Sequence, residues 1–287
     1  MLIGFAVILV LPVIVVAFIA YRFGDSLLKP PPSPRNEKPA TPLPLTPVEF
    51  DGESGRLRGW LILQPGSEKR PAILLTHGWG RNAEQMLPYA EFLYQDGYHL
   101  CLFDVRNHGN SDVDSYVSIF RYSNDIIAAA RWLASRPEVD ANRLGHLGHS
   151  MGAASSLRAA RVSGLFRCLV FSSGFADLRD LTAWMLQARK LPVEPFSTLI
   201  LKFWEHRLRI SLAEVNPIAN IAQLNIPVLL AHGEKDQIVP ASQMSKLAAY
   251  AVNRNTQTLL VPGHQHSNLH GDPQYVKAVR DFFASYL

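Results

Sequence analysis

Ser150 stands between Gly148 and Gly152 in the run Leu144-Gly145-His146-Leu147-Gly148-His149-Ser150-Met151-Gly152, a Gly-x-Ser-x-Gly pattern. A serine so placed can act as a nucleophile toward a carbonyl carbon. A strand that turns sharply into a helix needs small residues on both sides of the turn, because neighbouring Cβ atoms would collide there. The turn lifts the hydroxyl above the sheet edge and leaves the next backbone N–H, that of Met151, facing an incoming carbonyl oxygen. With glycine at about 7% of residues, about one chain of this length in ten carries the pattern by chance, so context has to decide. The hydroxyl also needs a base to take its proton and a third group to fix the tautomer of that base. Two downstream stretches hold such groups: His232-Gly233-Glu234-Lys235-Asp236-Gln237-Ile238-Val239-Pro240, and Pro262-Gly263-His264-Gln265-His266-Ser267-Asn268-Leu269.

The elements around these stretches alternate. Residues 48–50 and 57–63, joined by Asp-Gly-Glu-Ser-Gly, predict an antiparallel hairpin. The apolar run 72–76 reads as a strand leading into His77-Gly78-Trp79-Gly80, and residues 84–95 and 99–104 read as a helix and a strand. Tyr122, Ile126, Ala129, Ala130 and Leu133 recur at helical spacing within 121–135. Strands are expected at 143–149, 168–172, 228–231 and 258–261, and helices at 151–162, 241–252 and 273–286. A leading hairpin followed by repeated β-α units predicts the α/β class, a mostly parallel sheet with helices on both faces. Working groups then gather at the carboxyl ends of the strands.

One segment breaks the rhythm. Residues 175–216 separate two consecutive strands and mix Trp184, Phe203 and Trp204 with Arg189, Lys202 and Arg207. This composition predicts a helical cap above the sheet that lines an acyl pocket and leans on anionic lipid; the plainer reading is an enlarged crossover.

Together these motifs resemble the α/β-hydrolase family over about residues 48–287, in the order nucleophile, acid, histidine. The resemblance implies Ser150 as nucleophile, Asp236 as the acid of His-Gly-x-x-Asp-x-x-Val-Pro, and a histidine of the final loop as base. His266 fits the family's spacing to the terminal helix, ahead of His264 and His270, and Asp177 is the reserve acid. His77-Gly78-Trp79-Gly80 resembles the family's first oxyanion loop, in which the Trp79 N–H would join that of Met151. The stretch from Asp104 to Ser111 resembles the family's Asp-x-Arg-Gly-His-Gly-x-Ser, with Asn107 in place of glycine. Asp104 is then expected to pair with Arg106, His77 and His149 to make loop hydrogen bonds, and His146 and His232 to be core histidines.

At 287 residues, 48% hydrophobic and 18% charged, the chain is long and apolar enough for one large globular domain. The net charge of +4 is spread without basic runs, so no nucleic-acid partner is expected. Cys101 and Cys168 sit in apolar runs without metal spacing and read as core residues. No metal cluster, phosphate loop or dinucleotide fingerprint occurs, so no cofactor is expected. Residues 2–20 carry no charge and could cross a bilayer as a helix. A membrane anchor over 1–21 is expected in preference to a cleaved signal segment, because no basic start and no small-x-small cleavage site is present. Arg22, Lys29, Arg35 and Lys38 follow the span, which places the hydrolase domain in the cytoplasm by the positive-inside rule. Residues 22–47 are rich in proline and read as an extended tether that buries nothing.

The expectation is a membrane-anchored serine hydrolase acting on a small-molecule or lipid-like acyl ester or thioester. The alternatives are a serine peptidase of the same fold and a catalytically silent, membrane-tethered binding module.

Overall fold

The computed structural model describes residues 2–35 and 38–287, with side chains from residue 14 onward. Eight strands form one sheet: β1 (Leu45–Gly52), β2 (Gly55–Ile62), β3 (Arg70–Thr76), β4 (His99–Asp104), β5 (Val139–His149), β6 (Cys168–Ser172), β7 (Val228–Gly233) and β8 (Gln257–Val261). Their order is β1-β2-β4-β3-β5-β6-β7-β8; β2 runs antiparallel to β1 and β4, and the pairs from β4 to β8 are parallel. This is the α/β-hydrolase fold.

The helices in chain order are α1 (Leu2–Ser26), α2 (Leu87–Gln95), α3 (Ile119–Ala134), α4 (Met151–Ser163), α5 (Leu178–Gln187), α6 (Phe196–Leu208), α7 (Leu212–Val215), α8 (Pro217–Ile221), α9 (Ser242–Ala248) and α10 (Pro273–Tyr286). The stretch expected as one helix over 84–95 divides into a 3-10 turn, Ala83–Met86, and α2. Proline at position 88 fits there because the first turn of a helix does not need its N–H. On one face of the sheet, Ile126 and Leu133 of α3, Leu157 of α4 and Leu247 of α9 share one apolar cluster with Leu74 and Phe103 of the sheet. On the other, Leu93 of α2 and Val279 and Phe283 of α10 share a second cluster with Ile73 and Leu147. With both faces covered, β4 and β7 are buried along their whole length, which is why they read as unbroken apolar runs.

A third apolar cluster lies above the carboxyl edge of the sheet. Leu186 of α5, Ile200 and Trp204 of α6 and Val215 of α7 meet Ala20 and Leu28 from the N-terminal segment. The insertion is therefore helical and stands as a separate layer.

The N-terminal segment departs from expectation. The predicted span falls largely on residues 2–13, whose side chains lie outside the described residues. Among the described residues no helix is long and apolar enough to cross a membrane. α1 continues past residue 20 through Arg22 and Asp25 to Ser26, and packs one side on α6: the Trp204 Nε1–H donates to the Gly24 carbonyl at 3.0 Å, and the Tyr21 and Phe203 rings meet edge to face at 4.8 Å. The membrane anchor is thus without support from the fold. The tether also fails to be solvated throughout: Leu28, Leu43 and Leu45 are buried, and β1 begins at Leu45 rather than at residue 48.

Candidate active site

β5 delivers the chain to Ser150 and α4 carries it away. Ser150 is held at φ +54°, ψ −114°, a region that L-residues rarely occupy, and its N–H donates to the Ser172 carbonyl at 2.9 Å. The flanking glycines have a steric cause. A Cβ on Gly148 would stand 2.6 Å from the Ala153 nitrogen, and one on Gly152 would stand 2.4 Å from the Thr76 carbonyl oxygen.

The loop after β3 comes up against the serine. A Cβ on Gly78 would lie 3.2 Å from the Ser150 Cβ. The Gly78 N–H donates to Gln85 Oε1 at 2.8 Å and the Gly80 N–H to His108 Nε2 at 3.1 Å, which pins the peptide between them. The Trp79 N–H has no acceptor among the described residues, and the Met151 N–H is one of the unpaired donors of the first turn of α4. Both are therefore available to a ligand oxygen. His77 Nε2 accepts from the Val105 N–H at 3.0 Å, so Nδ1 carries the proton and donates to the Gly78 carbonyl at 2.8 Å. Burial holds His77 neutral, well below the ordinary histidine range, and pulls His108 down to about 4. Two neutral imidazoles thus brace the loop.

Asp236 and His266 approach each other from the loops after β7 and β8. A Cβ on Gly233 would fall 2.6 Å from the carbonyl oxygens of His264 and Gln265, so glycine is what lets the loops touch. His266 Nδ1 lies 2.6 Å from Asp236 Oδ2, leaving Nε2 free to accept a proton. Asp236 Oδ1 accepts from the Ile238 and Val239 N–H groups, each at 2.9 Å. Burial would raise the Asp236 carboxyl, but hydrogen bonds from His232 and His266 outweigh it and hold the group well below the usual carboxylate range. The His266 ring sits 5.0 Å, centroid to centroid, from that of His149, the neighbour of Ser150.

The competing residues are placed elsewhere. Asp177 caps α5 through the Arg179 N–H and meets Lys246 at 3.3 Å. His264 Nδ1 turns to the Pro262 carbonyl at 2.9 Å, and His270 packs on the Tyr89 ring at 5.3 Å. His146 is a core histidine bonded to Thr76 Oγ1 at 3.0 Å.

Some expectations need correction. Asp104 does not pair with Arg106; it accepts from the Ala83 and Asn110 N–H groups, while Arg106 binds Asp125 and Asp114. His149 makes no loop hydrogen bond: both ring nitrogens are buried without a partner among the described residues, and burial lowers it to about 3. Asn107 takes the glycine-like conformation at φ +62°, which asparagine tolerates, and its side chain clamps the Asp114 backbone. His232 is not a bland core residue, since its Nε2 lies 3.0 Å from Asp236 Oδ2. Cys101 and Cys168 are buried and free, both pushed up to about 12 by burial.

Beside Ser150 opens a cavity of about 590 Å³, lined by Trp79 and Met151, by Trp184 and Leu208 of the cap, and by Leu27 and Leu28. Its wall is mostly apolar. Among the described residues no group of three or more His, Cys, Asp or Glu side chains is disposed to hold a metal ion.

Residues 121–287 match the model of the prolyl oligopeptidase family, peptidase family S9. The chain belongs to this family. It is a hydrolase. The prolyl oligopeptidase match runs from within α3 through α10 and so takes in Ser150, Asp236 and His266. The chain is similar to the uncharacterized protein Rv2307c of Mycobacterium tuberculosis, 29% identical over 213 residues that cover 74% of this chain and 69% of that protein. It is also similar to the alpha/beta hydrolase domain-containing protein WAV2 of Arabidopsis thaliana, 27% identical over 288 residues that cover 95% and 92%. Among solved structures, the Pyrococcus furiosus esterase Pf2001 superposes with a TM-score of 0.71 at 25% identity, over 90% of this chain and 98% of that one.

Proposed function

We propose that the protein is a serine hydrolase of carboxyl esters or thioesters with apolar acyl groups, working through an acyl-enzyme on Ser150. The observation that carries this reading is the opening of an apolar cavity of about 590 Å³ onto Ser150, within the size range of small-molecule sites. His266 Nε2 takes the Ser150 proton as Oγ attacks the carbonyl carbon. The Trp79 and Met151 N–H groups receive the oxyanion, and Asp236 stabilises the imidazolium through Nδ1–H. The tetrahedral species collapses with proton transfer from Nε2 to the leaving alcohol or thiol, and water repeats the sequence to free the acid. The similarity to an esterase over nearly its whole chain supports ester chemistry.

A peptidase reading is favoured by the family itself. Against it, the only charged side chain lining the cavity among the described residues is Arg189, so no carboxylate is present there to receive a substrate amine. The test is turnover of p-nitrophenyl esters of graded chain length beside aminoacyl and prolyl anilides, with fluorophosphonate labelling of Ser150. Faster cleavage of anilides than of any ester would replace the esterase reading with the peptidase one. Absence of both turnover and labelling would leave a silent binding module.

A further inference from the structure

Residues 27–34 cross the active-site face of the domain. The Leu28 carbonyl accepts from the Val117 N–H at 2.8 Å, two residues before α3. Pro31 covers the oxyanion loop so closely that a Cβ on Gly80 would stand 2.7 Å from its ring. The Ser33 Oγ accepts from the Gly109 N–H at 2.6 Å, and the Asn82 side chain donates to the Pro34 carbonyl at 3.2 Å. Upstream, Trp204 of the cap holds the Gly24 carbonyl. The segment is therefore fastened to the cap, to the oxyanion loop and to the loop after β4. Between these fastenings Leu27 and Leu28 line the same cavity as Ser150, and Leu28 is 4% exposed.

We propose that Leu27 and Leu28 are specificity-determining residues, and that the segment bearing them is a fixed wall of the acyl cavity that sets the longest chain Ser150 accepts. This rests on the reading of the cavity as the acyl site. A chain entering past Ser150 runs between the cap and the two leucines; filling either position shortens the channel, and trimming it lengthens it. The longer the acyl group, the more of it meets the wall.

The experiment uses the full chain and the variants Leu28→Trp, Leu28→Ala and Leu27→Trp, profiled on p-nitrophenyl esters from acetate to palmitate, with circular dichroism on each. Each methylene excluded from an apolar pocket is worth about tenfold or more in kcat/KM. Leu28→Trp is expected to lower the ratio of long-ester to short-ester kcat/KM by at least about tenfold, and Leu28→Ala to move the optimum to longer chains. Should Leu28→Trp misfold, Leu27→Trp, at a half-buried position, carries the same expectation. Uniform loss across all chain lengths in folded variants, or an unchanged profile, overturns the proposal. Calorimetric binding of 1-octanol and 1-dodecanol separates it from the esterase reading. If no ester is turned over yet the wild type prefers dodecanol and Leu28→Trp abolishes that preference, the wall stands and the esterase reading falls. If neither alcohol binds and no ester profile shifts, the wall falls.

Discussion

His232 Nε2 lies 3.0 Å from Asp236 Oδ2, the same carboxylate oxygen that meets His266 Nδ1 at 2.6 Å. His232 Nε2 is also 2.8 Å from the Val239 carbonyl, and both neighbours are acceptors, so this nitrogen carries the proton and shares it between them. In the proposed mechanism His232 is thus a positioning residue: it fixes the carboxylate that would fix the base. A hydrogen bond to a charged group contributes about 1.5–3 kcal/mol, and each 1.4 kcal/mol lost in the transition state is about tenfold in rate. His232→Ala is expected to lower kcat about tenfold or more with KM little changed. His232→Gln, which keeps a donor, should recover part of the loss. Steady-state kinetics of both variants decide the matter: an equal loss in Ala and Gln, or a change confined to KM, would reduce His232 to packing.

The elbow tolerates no added methyl. A Cβ at Gly148 or Gly152 would meet backbone, which cannot swing aside as a side chain would. Overpacking costs about 1–3 kcal/mol, and here the displaced atoms belong to the turn that presents Ser150. Gly148→Ala and Gly152→Ala should lower the unfolding midpoint and remove most activity. Gly271→Ala, where nothing lies within 4 Å of the added carbon, should leave both unchanged. Thermal unfolding and ester turnover of the three variants provide the comparison.

The helices and strands beneath the site were legible because both faces of the sheet are covered: β6 and α10 have the limits that their patterns predict. Gly148 and Gly152 were legible for the same kind of reason, since a backbone contact admits one residue type. Two features were hidden. His232 lies inside a buried strand, where a histidine that packs and a histidine that holds a carboxylate look alike in sequence; its spacing of four from Asp236 was the available sign. Residues 27–34 read as tether because prolines and polar residues usually bury nothing, yet here the fastening runs through main-chain carbonyls and one serine hydroxyl, which composition does not reveal.

Stability at acid pH should depend on Asp236. Its folded value lies below the value of about 3.9 for a free aspartate, so the ionised group stabilises fully above pH of about 4. That contribution is lost as pH falls through the depressed folded value. Asp104 acts in the opposite sense: raised by burial to about 6, it costs stability as pH climbs from about 4 to about 6. Comparing the wild type with Asp236→Asn cancels the Asp104 contribution, which both share. The difference in urea unfolding free energy between them should shrink as pH falls below about 4. A difference that stays constant down to pH of about 2 would mean that the folded carboxyl is not depressed.

Ser150 is under backbone strain that glycine would relieve. A non-glycine residue held in such a region costs about 1–3 kcal/mol, whereas glycine enters it freely at an added unfolded-state entropy of about 0.5–1 kcal/mol. The balance favours glycine by about 1 kcal/mol, a rise of about 2 °C in unfolding midpoint for a domain of this size. Ser150→Ala removes the hydroxyl but keeps the Cβ, and with it the strain. Both variants should lose ester turnover and fluorophosphonate labelling, and Ser150→Gly alone should unfold at a higher temperature than the wild type. Equal midpoints for Ala and Gly would mean that the elbow stores no strain at Ser150, and that its conformation reflects packing of Gly148 and Gly152 alone.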